Sequence, residues 1–181
     1  MILVVAATEA ELAGAAGVET LVCGIGPVEA AAATALALAE RRPDRVLHVG
    51  IAGATGIDPP TLVIGSAARY CDISGDLAAR IPRIESIEPA PQLLEAARAA
   101  LPDALVCPIG TTAHVGRGVG CDVEAMEGFG VLRAAALAGV PAVEVRAISN
   151  AVREPDRALW RFDDALAALA TAIPRLLAEL E

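Results

Sequence analysis

The stretch LVCGIGPVEAAAATALALAERRPDRVLHVG, residues 21–50, places a strand, a helix and a second strand in immediate succession. An apolar run over 18–23 ends in the turn GIGP. The helix predicted over 27–42 begins with Pro27, whose fixed backbone suits a first helical turn. A second strand, RVLHVG at 45–50, follows directly. A strand–helix–strand unit of this kind is typical of an α/β fold.

The remainder of the chain continues this alternation. Residues 51–56 (IAGATG) are expected to form a glycine-rich turn, and 69–90 an irregular segment. The C-terminal helix is expected to be capped by Asp163 and kinked at Pro174. We therefore predict a single three-layer α/β/α domain over residues 1–181 with a mixed central sheet. The other predicted strands are 2–6, 61–68, 104–109 and 141–148, and the other predicted helices are 91–101 and 122–139.

The charge of the chain narrows the possible partners. The formal net charge is −9 and all 14 basic residues are arginine, which disfavours a nucleic acid partner because phosphate backbones require clustered cations. Without lysine, Schiff-base chemistry and a P-loop lysine are excluded. Aromatic residues make up only 2%, so stacking platforms for single-stranded nucleic acid are lacking. A small-molecule partner is expected.

The sequence also lacks the usual signals of a metal site, a dinucleotide-binding motif and a membrane-spanning segment. The four cysteines are far apart with no CxxC pair, which favours buried reduced thiols over a metal site. GIGPVE at 24–29 has Glu29 where a dinucleotide fingerprint requires its third glycine, and a carboxylate there would repel a pyrophosphate. No apolar run reaches the length of a membrane span, and the N-terminus lacks a basic signal-peptide region. The expectation is a cytoplasmic protein without metal or cofactor.

Polar residues follow several predicted strands, at the position where ligands of open α/β sheets bind. Glu11 follows the first strand, 111–115 follow the strand at 104–109, Glu127 lies in the first turns of a helix, and Asn150 ends a strand. Asn150 is the only asparagine in the chain. Each residue alone also fits an ordinary role as a surface charge, a helix-dipole partner or a cap. Together they predict one shared cleft.

Five motifs carry a family resemblance: MILVVAATEAEL, VCGIGPVEAAAA, LHVGIAGATG, DVEAMEG and VRAISN, in that order. This ordered set resembles the nucleoside phosphorylase and nucleosidase superfamily, most closely the 5′-methylthioadenosine/S-adenosylhomocysteine nucleosidases and futalosine hydrolase. Residues 1–30, 45–56 and 111–165 contain the similar motifs. The resemblance implies cleavage of the N-glycosidic bond of a purine nucleoside, and it implies a homo-oligomer.

The resemblance also implies roles around the sugar. Glu11 matches the family's water-activating glutamate, a general base. Glu127 matches the glutamate that accepts hydrogen bonds from the ribose 2′- and 3′-hydroxyls, with Met126 as an apolar floor beneath the sugar. The family usually has a further glutamate where this chain has Ala125, and Glu124 is a candidate to replace it.

Around the base, the resemblance implies a second group of residues. Ala52 and Gly53 match small residues that let the backbone approach the purine. His114 and Val115 match positions that pack over it, although an ordinary loop histidine is an equal alternative for His114. Ile51 lies where phosphorylases often have a serine, which favours water over phosphate as the nucleophile.

Asn150 is the departure that points to the substrate. Nucleosidases that act on adenosine-type substrates have aspartate at this position. A 6-oxopurine offers a carbonyl that a carboxylate would repel and an amide can satisfy, and an unpaired buried polar group costs about 1–3 kcal/mol. Asn150 therefore suggests a 6-oxopurine as the base. The motif ISN, residues 148–150, and the following REPDRALW, residues 153–160, also resemble futalosine hydrolase, which releases hypoxanthine on a route to menaquinone. Arg146 and Arg153 are candidates near the site, with Arg146 expected to hold the sheet end together.

Two alternatives stay open at this point. One is a nucleosidase for methylthioadenosine, adenosylhomocysteine or another purine nucleoside. The other is a catalytically silent nucleoside-binding module, because Ala125 and Ile51 depart from the family pattern. The residues that contact the benzoate-bearing tail of futalosine are expected in the region 69–110.

Overall fold

The computed structural model of the protein describes residues 1–73, 83–116 and 120–180. The predicted α/β architecture, with a mixed sheet and helices around it, is confirmed. The helices are α1 Pro27–Arg41, α2 Pro91–Ala100, α3 Gly128–Ala138 and α4 Phe162–Leu180. The strands are β1 Ile2–Ala6, β2 Glu19–Val22, β3 Arg45–Ala54, β4 Leu62–Tyr70, β5 Ser86–Ile87, β6 Leu105–Thr111, β7 Val123–Ala125 and β8 Ala142–Ala151.

Five strands of the sheet close into a ring. β3 pairs with β8 in parallel, β8 with β4 antiparallel, β4 with β6 in parallel, and β6 with β7 in parallel. β7 returns to β3 antiparallel at Gly53 and Ala54. β1 pairs with the first residues of β3 on the edge opposite β8 and carries β2 outside the ring, both in parallel. The register of β3 against β8 shifts between Ala52 and Gly53, so the last residues of β3 turn into the ring.

Apolar side chains pack in three clusters that follow from strand alternation. Along β1, Ile2, Val4 and Ala6 face α2 and α4, whereas Leu3 and Val5 face α1 and α3. A third cluster lies within the ring and includes Val63 and Ile109. Each fully buried side chain of this size contributes about 1.5–3 kcal/mol by leaving water. These clusters fix β3 and β8 at the centre of the molecule.

Helix α1 agrees with its prediction to within one residue. Pro27 occupies its first turn, and Arg42 ends it in the left-handed conformation with φ 48°, its N–H donating to Leu38 O. These start and stop signals are local in sequence, which is why the helix could be predicted.

The helix predicted over 122–139 begins six residues late. Val123–Ala125 form β7, and α3 starts only at Gly128. Pairing of β7 with both β3 and β6 determines the conformation of this stretch, since those hydrogen bonds close the ring. Glu127 therefore precedes the helix rather than lying in its first turns.

Two strands, β3 and β8, end later in the chain than predicted. β3 continues to Ala54, so the first four residues of the expected IAGATG turn are strand. β8 continues to Ala151, so Asn150 lies within a strand rather than at its end. The additional residues of the two strands pair with each other, and Gly53 is opposite Asn150 in the β3–β8 register.

The remaining differences are smaller. α4 begins at Phe162, so Asp163 lies in its first turn instead of capping it. Pro174 lies inside the helix, and the kink expected there stays a prediction. The segment expected to be irregular, 69–90, contains the end of β4 and the short strand β5, while 74–82 lie outside the described residues. All four cysteines are free, but only Cys23 is buried. In the described parts of the chain no helix is long and apolar enough to cross a bilayer.

Candidate active site

A cavity of about 400 Å³ lies where β1, β3 and β8 end, beside the start of α4. The topology brings distant segments of the chain together here, as expected for the carboxyl ends of neighbouring parallel strands. Three candidates do not contribute to its wall: His114, Arg146 and Arg153. The candidates that do line it are Glu11, Ala52, Gly53, Val115, Glu124, Met126, Glu127 and Asn150.

Glu11 lies in a 3-10 turn, Glu9–Leu12, that follows β1, and its carboxylate is held at both oxygens. Oε2 accepts hydrogen bonds from the backbone N–H and the hydroxyl of Thr8, each at 2.9 Å. Oε1 accepts from the backbone N–H of Ile51 at 2.9 Å. With only 5% of the residue exposed, Glu11 is a buried carboxylate at the cavity wall and not a surface charge.

Glu127 is held from two sides just before α3. Its Oε1 accepts from the backbone N–H of Gly26 at 3.1 Å, and its Oε2 accepts from Nη1 of Arg146 at 3.3 Å. The residue is 4% exposed. Met126 also lines the cavity beside it.

Arg146 lies behind the two carboxylates and is fully buried. A side chain added at Gly50 would meet both Nη1 of Arg146 and Oε1 of Glu11, which places this guanidinium close to Glu11 as well. Nε donates to Oε1 of Glu144 at 2.8 Å, and Nη1 also donates to the carbonyl of Ile51 at 3.3 Å. From the sequence, Arg146 was expected to hold the sheet end together. The structure shows in addition that it contacts Glu127 of the candidate site.

His48 completes this buried group as a neutral imidazole. Nδ1 lies 3.0 Å from Val5 O, a pure acceptor, and Nε2 lies 2.6 Å from Nη2 of Arg146, a pure donor. These partners require the proton on Nδ1 and a free lone pair on Nε2. Burial, with the adjacent Arg146 charge, holds the pKa of His48 well below its usual value.

Two further titratable groups near these residues are unsuited to nucleophilic chemistry. Burial raises the pKa of the Cys23 thiol to about 12, so it stays protonated and is no thiolate nucleophile. Burial also raises the pKa of the Glu144 carboxyl, against the opposing effect of Arg146. Neither side chain lines the cavity.

Asn150 has a defined amide orientation. Its Oδ1 accepts from the Ser149 hydroxyl at 2.8 Å, and its Nδ2 donates to Ala151 O at 2.9 Å. Nδ2 carries a second hydrogen beyond the one donated to Ala151 O, and Asn150 lines the cavity. A Cβ on Gly53 would lie 3.0 Å from Nδ2, so glycine at 53 leaves Asn150 in place and exposes backbone to the cavity.

The loop after β6 contributes Val115 and Gly116 to the cavity but not His114. Oε1 of Glu124 accepts from the Gly116 N–H at 2.8 Å, which ties this loop to β7. The His114 side chain is 64% exposed and its Nδ1 lies 3.9 Å from Asp72. Packing of His114 over a base is therefore not seen in this arrangement.

Sequence reasoning missed one whole end of the cavity. Trp160, Phe162 and Leu166 line it from the start of α4, together with Ile25. The Trp160 and Phe162 rings lie 5.4 Å apart, and Trp160 Nε1 donates to Glu154 O at 3.1 Å. Trp160 is the only tryptophan in the chain and ends the stretch REPDRALW that carries part of the family resemblance, but its position at the cavity was not predicted.

The arrangement provides three buried carboxylates (Glu11, Glu124 and Glu127), an amide donor and an apolar, aromatic surface within one cavity. Among the residues that the structure describes, no group of three or more histidine, cysteine or acidic side chains is placed to hold a metal ion. Such a site is suited to a reaction in which a carboxylate activates water and an amide binds a polar leaving group.

The fold and this site define a member of the class of enzymes that act on nucleosides through an α/β domain. Residues 11–117 match the profile described as the phosphorylase superfamily, and the chain belongs to that superfamily. Within it, the chain is 38% identical to a futalosine hydrolase of Streptomyces coelicolor, covering 91% of this chain and 80% of that protein. A futalosine hydrolase of Acidothermus cellulolyticus is 34% identical, covering 87% and 74%.

Solved structures share the fold at lower identity. A mutant of Helicobacter pylori futalosine hydrolase superposes with a TM-score of 0.86 at 16% identity, covering 98% of each chain. A methylthioadenosine/adenosylhomocysteine nucleosidase of Colwellia psychrerythraea, in complex with adenine, gives 0.86 at 21% identity, covering 99% of this chain and 95% of that one.

Proposed function

We propose that the protein hydrolyses the N-glycosidic bond of futalosine, releasing hypoxanthine and dehypoxanthine futalosine. The observation that carries this proposal is the convergence of Glu11, Glu127 and Asn150 on one cavity. Similarity to futalosine hydrolases over most of the chain supports the same substrate.

Glu11 is the proposed general base. It takes a proton from a water molecule as the water oxygen bonds to C1′ of the ribose and the bond from C1′ to the purine breaks. Its three hydrogen bonds leave the carboxylate rigid, so little reorganisation is needed during the reaction. The proton then passes to solvent, and the departing purine gains one in exchange.

Glu127 is the proposed partner of the ribose hydroxyls, with Met126 beneath the sugar. The sugar gains positive charge in an oxocarbenium-like transition state, so hydrogen bonds from its hydroxyls to a carboxylate strengthen on the way there. Pairing with Gly26 and Arg146 supports this role by keeping the carboxylate in place.

Asn150 is the proposed binding group for the leaving base. Its second Nδ2 hydrogen would donate to the 6-oxo group or N7 of hypoxanthine, stabilising the electrons that move onto the purine. Ala52 and Gly53 would let backbone approach the base, and Val115 would pack over it. No such role is proposed for His114 in the described arrangement.

The apolar end of the cavity is the proposed site of the benzoate-bearing tail. Trp160, Phe162 and Leu166 offer aromatic and aliphatic surface of the kind that covers a benzene ring. This proposal adds residues 160–166 to the region 69–110, where contacts to the tail are expected from the sequence.

Water is favoured over phosphate by the charges around the cavity. Glu11, Glu127 and Glu144 surround the buried Arg146, and the first two of these carboxylates face the cavity side. A phosphate dianion in the same place would meet net negative charge. Ile51 adds no hydroxyl that could bind it.

The test is incubation with futalosine, inosine and methylthioadenosine, each with and without phosphate, followed by chromatography of the free base. We expect hypoxanthine from futalosine without phosphate. Phosphate-dependent release would contradict hydrolysis, and preferred release of adenine would favour the methylthioadenosine or adenosylhomocysteine nucleosidase alternative. Binding without any release would favour a silent nucleoside-binding module.

We also propose a cytoplasmic homo-oligomer. α1 exposes Val28 and Leu36, at 77% and 66%, and α3 exposes Leu137 at 71%, so both Ala/Leu-rich surfaces, 27–39 and 131–138, present apolar side chains to solvent. Size-exclusion chromatography with light scattering tests this, and a monomer across the working concentration range would contradict it.

A further inference from the structure

Glu144 is a carboxylate without access to the cavity. It lies on β8, is fully buried, and its Oε1 accepts from Nε of Arg146 at 2.8 Å. Its Oε2 has no hydrogen-bond partner among the described residues. Burying a carboxylate is costly, and an apolar residue of similar volume is often as stable or more so. A contribution to stability alone therefore accounts poorly for an acid at this position.

The partner of Glu144 is the guanidinium that contacts the proposed catalytic carboxylates. Arg146 uses a different edge for each neighbour: Nε for Glu144, Nη1 for Glu127 and the carbonyl of Ile51, and Nη2 for His48. A guanidinium is planar, so fixing Nε and Nη2 determines the direction in which Nη1 points. Glu144 and His48 lie outside the cavity, and they hold the guanidinium whose Nη1 contacts the lining residue Glu127.

The backbone around Glu144 is shaped to admit its carboxylate. A Cβ on Gly128, the first residue of α3, would lie 2.3 Å from each Glu144 oxygen. A Cβ on Gly65 of β4 would lie 3.5 Å from the Cβ of Glu144. Alanine at 128 would favour the helix, so glycine there matches a requirement for space rather than for helix stability.

We propose that Glu144 is a positioning residue: it fixes the rotation of Arg146 and thereby the placement of the Glu127 and Glu11 carboxylates around the sugar. The proposal rests on the proposed glycosidase function for its kinetic consequence. Gly128 belongs to the same device, because it keeps the Glu144 carboxylate within reach of Nε.

The first experiment compares Glu144→Leu with Glu144→Gln. Glutamine keeps an oxygen acceptor for Nε, so its kcat with futalosine should stay within about tenfold of the wild type. Leucine removes the acceptor, and a misplaced carboxylate should lower kcat by about 10²-fold. Val145→Ala is the matched control, because Val145 is a buried neighbour on the opposite face of β8. Its kcat should be unchanged even though it loses core contacts.

The second experiment uses Gly128→Ala, which disturbs the carboxylate without altering it. Alone it should lower kcat by about 10-fold or more, since a shift of an ångström is enough for such a loss. In the Glu144→Leu background it should add little, because both changes remove the same contact. The single Gly128→Ala variant keeps the proposal testable if Glu144→Leu folds poorly.

A third measurement does not depend on activity. The Nε–H resonance of Arg146, assigned through Arg146→Lys, should be protected from exchange in ¹⁵N-arginine spectra of the wild type and of Glu144→Gln. It should shift and lose protection in Glu144→Leu. If the wild type releases no base from any nucleoside, the proposed function fails while this spectrum still decides whether Glu144 orients Arg146.

Three results would overturn the proposal. They are a kcat for Glu144→Leu close to that of Val145→Ala, an equal loss in Glu144→Gln and Glu144→Leu, or an Arg146 Nε–H resonance that is indifferent to both changes.

Discussion

The Ser149 hydroxyl lies 2.8 Å from Oδ1 of Asn150 and donates a hydrogen bond to it. Ala151 O, a pure acceptor, assigns Nδ2 to its own side of the amide, and the Ser149 hydroxyl then donates to Oδ1. Two neighbours in sequence thus set the polarity of the proposed base-binding group. In the proposed function, the second Nδ2 hydrogen would favour an acceptor such as the 6-oxo group of hypoxanthine.

Replacing Asn150 by aspartate should reverse that preference. The new carboxylate oxygen would face Ala151 O and the 6-oxo group, both of which repel it. Hypoxanthine release should fall by about 10²–10³-fold through lost leaving-group stabilisation. Adenosine-type substrates should suffer much less, because a carboxylate can accept from their amino group.

The decisive measurement is the ratio of kcat/KM for inosine-type over adenosine-type substrates in both proteins. A ratio that does not move would leave Asn150 as a structural residue of β8.

Replacing Glu11 by glutamine should separate catalysis from binding. The amide cannot accept a proton from water, so turnover should fall by about 10²–10⁴-fold while nucleoside affinity is retained. Rates are measured by release of free base, and affinity by calorimetry with a slowly cleaved nucleoside. The matched control is Glu9→Gln, an exposed glutamate of the same 3-10 turn, which should behave as wild type. Full activity in the Glu11 variant would rule out the proposed base.

Replacing Glu127 by glutamine should weaken both substrate binding and rate. The contacts to the ribose hydroxyls exist in the ground state and strengthen in the transition state, so kcat/KM should fall more than KM rises. Loss of charge also removes the partner of Nη1 of Arg146. Steady-state kinetics with futalosine give both parameters. A change confined to KM would show that Glu127 contributes only uniform binding.

His48 should make the folded state sensitive to acid. Its pKa in the folded protein is held well below the ordinary value of 6.5. At mildly acidic pH the imidazole is therefore protonated in the unfolded chain and neutral in the folded chain. As the pH falls below about 6.5, this group should lower the free energy of unfolding by up to about 1.4 kcal/mol per pH unit, until the folded-state pKa is reached.

Urea unfolding at pH 7 and pH 5 tests this through His48→Gln, which keeps a donor for Val5 O and an acceptor for Arg146 but does not titrate. The variant should lose less stability between the two pH values than the wild type. The raised pKa of Glu144 makes the folded state more stable as the pH falls. This effect is present in both wild type and variant, so to first order it cancels when their pH dependences are compared. His114→Gln, at the exposed second histidine, should retain the wild-type dependence. Equal pH dependence in wild type and His48→Gln would contradict the neutral buried imidazole.

Thr34 offers a prediction about stability alone. It is fully buried in α1, and its Oγ1 has no hydrogen-bond partner among the described residues. Thr34→Val replaces this hydroxyl by a methyl group of similar size and should raise the free energy of unfolding by about 1 kcal/mol. Thr171→Val is the control, because the exposed Thr171 hydroxyl already donates to Ala167 O within α4. Destabilisation by Thr34→Val would indicate that the hydroxyl has a partner in solution.

The accuracy of the sequence-based predictions depends on how local each signal is. α1 was placed to within one residue because Pro27, an alanine-rich interior and Arg41 are all near it in the chain. The start of α3 was missed because Val123–Ala125 pair with β3 and β6, and such pairing leaves no mark in the local composition. Glu144 and Arg146 are visible in the sequence as two charges at alternate positions of a largely apolar strand. This pattern gives no indication of the residues that they contact.

The sequence by itself determined the α/β class and most element positions, because apolar periodicity and end signals act within a few residues of each other. Its motifs also indicated Glu11, Glu127 and Asn150, which line one cavity, but not the lining residue Thr8. Only the tertiary structure decided the ring of strands, the aromatic end of the cavity and the exclusion of His114 from it. It also decided that Glu127 is held by Gly26, 101 residues away, and by Arg146. Hydrogen bonds and ion pairs of this kind join groups whose separation in the chain is arbitrary. Their geometry exists only after the core has brought β3, β8 and α3 together.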